Sequence, residues 1–167
     1  MLERKSFNVE AYINTIQTAP CFICQLVTDN LQNDHHIIYE NEDAIVFLNK
    51  YPVLYGYALV APKEHKEQVT GDFSPQAYLS IQQLIYATAE AVRKYIKPER
   101  VYILSLGSQQ GNQHVHWHIA PLPFGVPFDE QQLNALRFGN GILDIADEEM
   151  RNLANHLRAE LIPLGFD

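Results

Sequence analysis

Three histidines alternate with apolar residues in the segment His114-Val115-His116-Trp117-His118-Ile119-Ala120. This alternation has the two-residue period of a half-buried strand, so it predicts a β-strand with all three imidazoles on one face. A single histidine in such a strand is most often a polar residue on a solvated face. Three in register, followed by Pro121 and Pro123, indicate a functional site.

The spacing also implies that the three histidines do different work. At a rise of about 3.3 Å per residue, His114 and His118 lie about 13 Å apart along a strand, whereas neighbouring histidines lie about 7 Å apart. One metal ion therefore cannot be bound comfortably by all three. A catalytic metal on the triad is the competing hypothesis, and it is weakened because the motif contains no Asp or Glu.

The composition, with 47% apolar and 19% charged residues among 167, is typical of a soluble globular protein. The length predicts one domain spanning residues 1–167. No apolar run is long enough to cross a bilayer, so no membrane partner is expected. The segment from Met1 to Lys5 is charged and leads into an amphipathic pattern rather than an apolar signal, so a cytoplasmic location is expected.

The charge balance argues against nucleic acid polymers as partners. The formal net charge is -8, and only 12 residues are Lys or Arg. Binding to a duplex requires clustered cations that displace counterions. A small anionic ligand is still compatible with an acidic protein, because local donors in one pocket can hold a phosphate.

Patterns along the chain predict an α+β fold. Helices are predicted from Asn8 to Thr18, from Ser74-Pro75 to about Ile96, from Phe128 to Arg137 and from Asp147 to Ile162. Leu31 to Asp34 is predicted to be a polar loop. Strands are predicted at Ile37–Tyr39, Ala44–Leu48, Tyr57–Ala61 and Val101–Leu104, the first three as an antiparallel meander and the last as a hairpin with the histidine strand.

The only two cysteines are Cys21 and Cys24. In a cytoplasmic chain this Cys-x-x-Cys pair is a redox couple, half of a zinc site or two small apolar residues. A thioredoxin-like couple belongs at the strand-to-helix junction of a βαβ unit. Here the pair follows Pro20 and precedes a short apolar run, which disfavours the redox interpretation and leaves the other two open.

The segment 114–120 resembles the signature of the histidine triad (HIT) family, His-φ-His-φ-His-φ-φ with φ apolar. Further similarity precedes it, in Phe47-Leu48-Asn49-Lys50-Tyr51-Pro52, Gly56 and Leu59-Val60-Ala61-Pro62-Lys63-Glu64-His65. The resemblance covers about Cys21 to Pro123. It implies a HIT-like fold, in which an antiparallel β-sheet of about five strands packs with one long helix, here with additional N- and C-terminal helices.

The same resemblance implies a nucleotide hydrolase that cleaves at the α-phosphate of a dinucleoside polyphosphate or nucleoside phosphoramidate. His116 would be the nucleophile that forms a nucleotidyl-histidine, and His118 would contact the phosphate and the leaving group. Relatives that transfer nucleotidyl groups often carry Gln at the position of His118, which favours hydrolysis here. A nucleotidyl transferase or phosphorylase and a noncatalytic nucleotide-binding protein are the alternatives.

Some members of the family hold a structural zinc ion with a set that corresponds here to Cys21, Cys24, His65 and His114. Two thiolates and two imidazoles form a closed tetrahedral site. His35 and His36 are rival ligands by their position in the sequence and are expected to be solvated instead. The family also implies a homodimer.

The resemblance also implies substrate contacts at several positions. Asn49 would hydrogen-bond the ribose, although it is equally well a turn residue at the end of a strand. Gly111, Asn112 and Gln113 are candidate phosphate contacts in a loop about two residues shorter than usual, and Ser105 is either a contact or a turn hydroxyl. Tyr55 and Tyr57 replace the common Pro and His around Gly56 and are expected to alter only the pocket rim.

Overall fold

The computed structural model of the chain describes residues 2–28 and 34–167. The polar loop expected at Leu31 to Asp34 lies outside them except for its last residue. Two short elements come first among the helices: α1 spans Val9–Thr18 and α2 spans Phe22–Val27. The predicted cap of α1 is present, because the Asn8 side chain accepts a hydrogen bond from the Ala11 amide.

A five-stranded antiparallel sheet forms the centre of the molecule, as predicted. A two-residue strand β1, Arg4–Lys5, precedes it in the chain. The sheet strands are β2 (Ile37–Glu40), β3 (Ala44–Leu48), β4 (Ala58–Pro62), β5 (Arg100–Ser105) and β6 (Trp117–Leu122). Their spatial order is β2-β3-β4-β6-β5, so the histidine strand β6 lies between β4 and β5. The predicted meander and the antiparallel pairing of β5 with β6 are both confirmed.

The long helix α3, Pro75–Ile96, packs on one face of this sheet together with α4, Asp147–Leu161. Ser74 caps α3 with its hydroxyl, Pro75 opens the first turn, and Lys97 ends the helix in the left-handed conformation. Alternate strand residues such as Val46, Val60 and Trp117 enter the core beneath these helices. Within the described ranges no helix is long and apolar enough to span a membrane.

The opposite face of the sheet carries the histidines. Residues of intervening parity, including Phe47 and Leu59, form a second buried cluster beneath α2. His118 pairs directly opposite Leu59 in the register of β4 and β6, so it lies on this same face. The face is only partly covered, and this leaves room for a cavity.

The strand expected over all of the triad is shorter than predicted. β6 begins at Trp117, and His114, Val115 and His116 precede it as an extended segment. The pairing of β6 with β4 ends at the pair Val60 and Trp117. Val115 instead donates its amide to the Lys66 carbonyl at 2.7 Å. The alternation survives, since Val115 and Trp117 are both in the core.

The segment after β6 was also predicted incorrectly. Residues from Phe128 to Arg137 do not form an α-helix but irregular chain with short 3₁₀ turns at Phe128–Glu130 and Asn134–Leu136. Gln132 has a positive φ of 57°, which breaks any continuous helix there. A further strand, β7 (Ile142–Leu143), pairs with β1 and was not predicted. Strands of two residues leave no periodic pattern in a sequence.

Candidate functional site

The row of histidines separates into two environments. His116 and His118 line a cavity of about 700 Å³ on the partly covered face of the sheet. His114 is 1% exposed and is turned into a cluster with the two cysteines. Cys21, at the start of α2, and Cys24, within it, bring their sulfurs to this cluster. The short helix α2 therefore connects the two environments.

The four residues implied as zinc ligands lie together. The Nδ1 atom of His114 is 3.4 Å from Cys21 Sγ and 3.5 Å from Cys24 Sγ, and His65 Nδ1 is 3.3 Å from Cys24 Sγ. All four ligand atoms lie within 4.8 Å of one another. A tetrahedron with metal bonds of about 2.0–2.3 Å has edges of about 3.3–3.8 Å. The donor set and its spacing fit one zinc ion.

The two imidazoles of this cluster are oriented by further hydrogen bonds. His114 Nε2 lies 2.9 Å from the Pro62 carbonyl and donates to it, which leaves Nδ1 as the lone pair facing the sulfurs. His65 Nε2 lies 3.2 Å from a carboxylate oxygen of Glu67. Carbonyl and carboxylate partners of this kind are typical of metal-bound histidine. The arrangement therefore presets both rings for a metal.

Electrostatics in the cluster agree with a cation site. Burial, followed by the neighbouring Cys21 thiol, raises the pKa of Cys24 to about 11. A cation bound between the two sulfurs would oppose this shift and favour the thiolate forms.

The rival ligands His35 and His36 lie elsewhere. His36 pairs with Asp147 at 3.2 Å, and His35 stacks on Phe22 with a centroid distance of 6.3 Å. Both histidines are half-buried rather than fully solvated, since His35 lines the cavity and His36 makes this contact with α4.

His116 has one ring nitrogen engaged. Its Nδ1–H donates to the His114 carbonyl at 2.7 Å, which fixes the tautomer and leaves the lone pair on Nε2. Burial lowers the pKa of His116, so the neutral form is favoured. The Ser105 hydroxyl donates to the His116 carbonyl at 2.9 Å and holds the backbone from β5. A neutral imidazole in this state is suited to nucleophilic attack.

His118 lies beside His116, with ring centroids 4.7 Å apart. Its Nδ1 is 3.0 Å from the Tyr57 hydroxyl, whereas its buried Nε2 has no hydrogen bond of normal geometry. Burial, followed by the neighbouring His116, lowers the pKa of His118 to about 3, and the Leu106 carbonyl opposes this shift. His118 is therefore a neutral imidazole with one nitrogen available to a ligand.

Tyr57 determines which nitrogen of His118 carries the proton. Tyr57 is 5% exposed, and burial raises its pKa far above the usual range, so the phenol stays protonated. Within the described chain its hydroxyl has no other hydrogen-bond partner, and a buried O–H normally donates. Donation to Nδ1 leaves the proton on Nε2. The proton of His118 is therefore on Nε2, a buried nitrogen of a residue that lines the cavity.

This role of Tyr57 was missed by sequence reasoning, which assigned it to the pocket rim. The signal was present, because Tyr57 occupies the position where the family usually has a histidine. Tyr57 lines the cavity, whereas Tyr55 does not: burial and the Glu149 carboxylate raise the pKa of Tyr55 to about 12 on the α4 side of the sheet. Gly56 between them adopts a φ of 81°, which turns the two side chains apart.

The residues implied as substrate contacts occupy several environments. Asn49 lines the cavity, and its side-chain oxygen accepts from the Tyr51 amide at 2.9 Å, so it is also a turn residue. Gly111 and Asn112 line the cavity as well. Gln113 lies outside it and donates to the Gln109 carbonyl, and Ser105 is engaged with His116 as described above.

The loop that carries Gly111 and Asn112 packs against α1. A Cβ on Gly111 would lie 3.0 Å from Ile16, and the Asn112 side chain donates to the Tyr12 hydroxyl at 3.4 Å. A Cβ on Gly107 would lie 2.7 Å from the Asn112 carbonyl oxygen, so the loop closes only with glycine there. The N-terminal helix is therefore part of the cavity wall.

The geometry supports chemistry on a phosphorus centre. His116 has its lone pair on Nε2, and His118, with its proton on Nε2, has its ring centroid 4.7 Å from that of His116. Phosphoryl and nucleotidyl transfer need this combination of a positioned nucleophile and donors for developing charge. The Cys–His cluster is separate and offers four donors, which would fill a tetrahedral zinc ion and leave no position for a substrate.

Residues 30–124 match the HIT domain family. A HIT-like protein of Saccharolobus solfataricus is 31% identical over 108 residues, which are 60% of this chain and 73% of that protein. An adenosine 5'-monophosphoramidase of Schizosaccharomyces pombe is 30% identical over 106 residues, which are 62% of this chain and 74% of the relative.

Solved structures share the fold. A hypothetical histidine triad nucleotide-binding protein of Sulfolobus tokodaii gives a TM-score of 0.68 at 22% identity, covering 86% of this chain and 93% of that chain. A zinc-bound histidine triad protein of Mycobacterium smegmatis gives a TM-score of 0.66 at 23% identity, covering 86% and 94%. Both the sequence match and the fold lead to one assignment: the chain belongs to the histidine triad (HIT) family.

Proposed function

We propose that the protein is a nucleotide hydrolase that cleaves at the α-phosphate of a dinucleoside polyphosphate or a nucleoside phosphoramidate. The observation that carries this proposal is the state of His116. Its Nδ1–H is committed to the His114 carbonyl, and its Nε2 lone pair is left to a ligand in the cavity. The adenosine 5'-monophosphoramidase among the relatives supports the same class of reaction.

The reaction follows from the protonation states of the two histidines. Nε2 of His116 attacks the α-phosphorus, and the bond from phosphorus to the leaving group breaks with its electron pair. A polyphosphate departs as an anion that the Nε2–H of His118 stabilises by a hydrogen bond, whereas an amine departs with a proton taken from solvent water. Water then cleaves the nitrogen–phosphorus bond and gives up its proton to solvent, which releases the nucleoside monophosphate and restores His116.

We propose that Cys21, Cys24, His65 and His114 hold a structural zinc ion. The fit of the donor set and the zinc-bound relative of Mycobacterium smegmatis support it. When bound, zinc would contribute folding energy rather than Lewis acidity at the substrate. The His114 backbone carbonyl accepts from His116, so a fixed His114 also fixes the nucleophile.

Asn49, Gly111 and Asn112 are the substrate contacts that we retain in this proposal. All three line the cavity, and the Asn49 amide nitrogen is available for a ribose hydroxyl. Ser105 and Gln113 do not line it. We assign Ser105 a positioning role through the His116 carbonyl instead.

A homodimer and a cytoplasmic location stay predictions. The edge strand β5 exposes half of the Ile103 side chain beside Tyr86 of α3, which is 63% exposed. A second copy would cover this surface. Light scattering coupled to size exclusion tests it, since a mass near 38 kDa is expected, twice that of the 19.1 kDa chain.

Turnover and adduct mapping test the proposed function. Purified protein is incubated with diadenosine tetraphosphate or adenosine phosphoramidate, alongside His116→Ala and the control His156→Ala, which removes an exposed imidazole from α4. The wild type and the control should release AMP, and His116→Ala should lose at least about 1000-fold in kcat. Acid-quenched peptides should carry a nucleotidyl group on His116.

Three outcomes distinguish the alternatives. Binding of both substrates without turnover that depends on His116 would favour a noncatalytic nucleotide-binding protein. Transfer of the nucleotidyl group to added phosphate instead of water would favour a transferase or phosphorylase. An adduct on any residue other than His116 would overturn the mechanism.

A further inference from the structure

Two groups of aromatic rings line the cavity. The proximal wall consists of Phe22, His35 and Phe47, in which Phe22 lies 6.2 Å from Phe47 and 6.3 Å from the His116 ring between centroids. The distal wall consists of Phe7, Tyr12, Tyr51 and Phe138, whose ring centroids lie 4.7–5.8 Å apart. All of these side chains line the one cavity.

Three of the four distal rings come from outside the family region. Phe7 precedes α1, Tyr12 lies on it, and Phe138 follows the histidine strand, whereas residues 30–124 match the family. The segments that carry Phe7 and Phe138 are held together next to this wall. β1 pairs with β7, and the Arg4 guanidinium donates to the Val53 carbonyl at 2.8 Å and to the Gly141 carbonyl at 2.9 Å.

The distal rings are half-buried rather than part of a closed core. Helix α1 has no buried residue at all, and its apolar side chains Tyr12 and Ile16 face the cavity. A helix without core contacts would be a weak addition to the fold if packing were its purpose. The aromatic surface that it presents to the cavity is therefore available to a ligand.

The position of the distal wall relates it to the leaving group. Phe7, Tyr51 and Phe138 pack around the buried cluster that contains Tyr57, and Tyr57 contacts His118. The proximal wall is in contact with His116 instead. In an in-line displacement the leaving atom departs on the side away from the nucleophile, where His118 donates. The proximal wall therefore contacts His116 directly, and the distal wall is connected to His118 through the cluster that contains Tyr57.

We propose that the distal wall is a binding subsite for a flat aromatic group carried by the leaving group of the substrate. Four half-buried rings that line the cavity form a stacking surface for a planar π-system. The subsite rests on the proposed function, because it needs a leaving group on the side of His118. A second nucleobase or an arylalkyl amine provides the required ring.

Two matched substrate pairs test the subsite and separate these sources. The first pair is diadenosine tetraphosphate and adenosine 5'-tetraphosphate, which differ by the second nucleoside. The second pair is the adenosine phosphoramidates of tryptamine and of ethylamine, which differ by the indole. Wild type should have a kcat/KM about 3- to 10-fold higher for the ringed member of at least one pair. The pair that shows the preference identifies the source.

The variant Phe138→Leu removes one ring and keeps an apolar side chain in the wall. It should abolish most of the preference for the ringed member while leaving the rate on the unringed member within about 2-fold. Phe166→Leu is the matched control, since Phe166 is a half-buried ring that packs on Tyr39 outside the cavity. This control should keep the wild-type preference.

Failure of the subsite differs from failure of the proposed function. Turnover that depends on His116 but shows equal kcat/KM within both pairs overturns the subsite alone. Equal losses on both members in Phe138→Leu overturn it too, because the ring then only packs. If no substrate turns over, titration calorimetry on the same pairs decides: tighter binding of ringed members that is lost in Phe138→Leu supports the subsite, and equal binding overturns it.

Discussion

His114 and His118 stand at opposite ends of one histidine row, and their ring nitrogens are used in opposite ways. His114 has both nitrogens engaged, one facing the two sulfurs and one donating to the Pro62 carbonyl. His118 has Nδ1 held by Tyr57, and among the described residues its buried Nε2 makes no hydrogen bond of normal geometry, although the Leu106 carbonyl lies near the ring. A buried polar atom without a partner costs free energy unless a ligand satisfies it. The first end is built for structure and the second for a ligand.

His116 lies between them in the sequence. The His114 backbone orients its ring, and the ring lines the same cavity as His118. Its Nδ1–H donates to the backbone of His114, and its ring lies next to His118. The comparison predicts that damage to the cysteine cluster lowers stability, whereas damage around His118 lowers the rate. Four experiments test this division, beginning with the largest effect.

Removal of the metal site should lower the free energy of unfolding substantially and change kcat only slightly. Cys24→Ser loses one of four ligands, so the zinc content should fall from one per chain to near zero. The free energy of unfolding should fall by about 3 kcal/mol or more, which lowers the thermal midpoint by about 6–12 °C. Because the cluster has no open position, kcat of the folded fraction should change less than about 5-fold. Metal analysis, thermal unfolding and steady-state kinetics measure the three quantities.

The opposite result would favour a catalytic metal. Chelation that abolishes activity while circular dichroism shows an intact fold, with recovery on adding zinc, contradicts the division of roles. Glu67→Gln is a milder companion variant, because Glu67 touches the cluster only through His65. It should weaken zinc affinity by about 10-fold without abolishing binding.

His118→Phe should lower kcat by about 100-fold, because an apolar ring offers no hydrogen-bond donor to the departing atom. Zinc content should stay at one per chain, since His118 lies outside the cluster of four ligands. Single-turnover kinetics with metal analysis of the same sample measures both. An unchanged kcat, or a loss of zinc in step with activity, contradicts the assignment.

Sequence patterns predicted the central sheet well because its residues alternate in or out of one core. Val46, Val60 and Trp117 pack on one face, and Phe47, Leu59 and His118 lie on the other, which a period of two reveals. The ends of the chain were harder. Arg4–Lys5 and Ile142–Leu143 pair over only two residues, and that pairing depends on contacts far apart in sequence.

Some residues of the candidate site could likewise be predicted from the sequence, and others could not. The residues Cys21, Cys24, His65 and His114 could be named because the family resemblance supplies partners that no local pattern connects. The contacts of Tyr57 and Phe138 could not, since each depends on how the tertiary structure brings a ring to the cavity. Ser105 shows the converse, because its hydroxyl is used on the His116 backbone rather than on a ligand.

The pH dependence of stability provides the third test. Burial, followed by His116, holds the pKa of His118 at about 3 in the folded protein, against about 6.5 when unfolded. Between these values the unfolded chain binds a proton that the folded chain does not. The free energy of unfolding should therefore fall as pH falls from about 6.5, by up to about 1.4 kcal/mol per pH unit, with no contribution above pH 6.5.

Denaturant titrations of wild type and His118→Gln at pH 7, 6 and 5 with zinc present isolate this contribution. The other titrating groups are common to both proteins, so the difference between the two slopes belongs to His118. The variant should lose less stability than wild type over this range. Parallel slopes would mean that the folded protein protonates His118 as readily as the unfolded chain does.

Tyr57→Phe should have the smallest effect and the most specific signature. The phenol donates to Nδ1 of His118, so its removal leaves that nitrogen without a donor and frees the proton to move from Nε2 to Nδ1. We expect kcat to fall about 5-fold with KM changed less than 2-fold, because Tyr57 acts through His118. The ¹⁵N shifts of the His118 ring should change from the Nε2–H form to a mixture of tautomers. Tyr57→His places a ring N–H donor at the same position and should recover most of the rate, whereas a purely structural role for Tyr57 would lower the thermal midpoint in both variants and leave the tautomer unchanged.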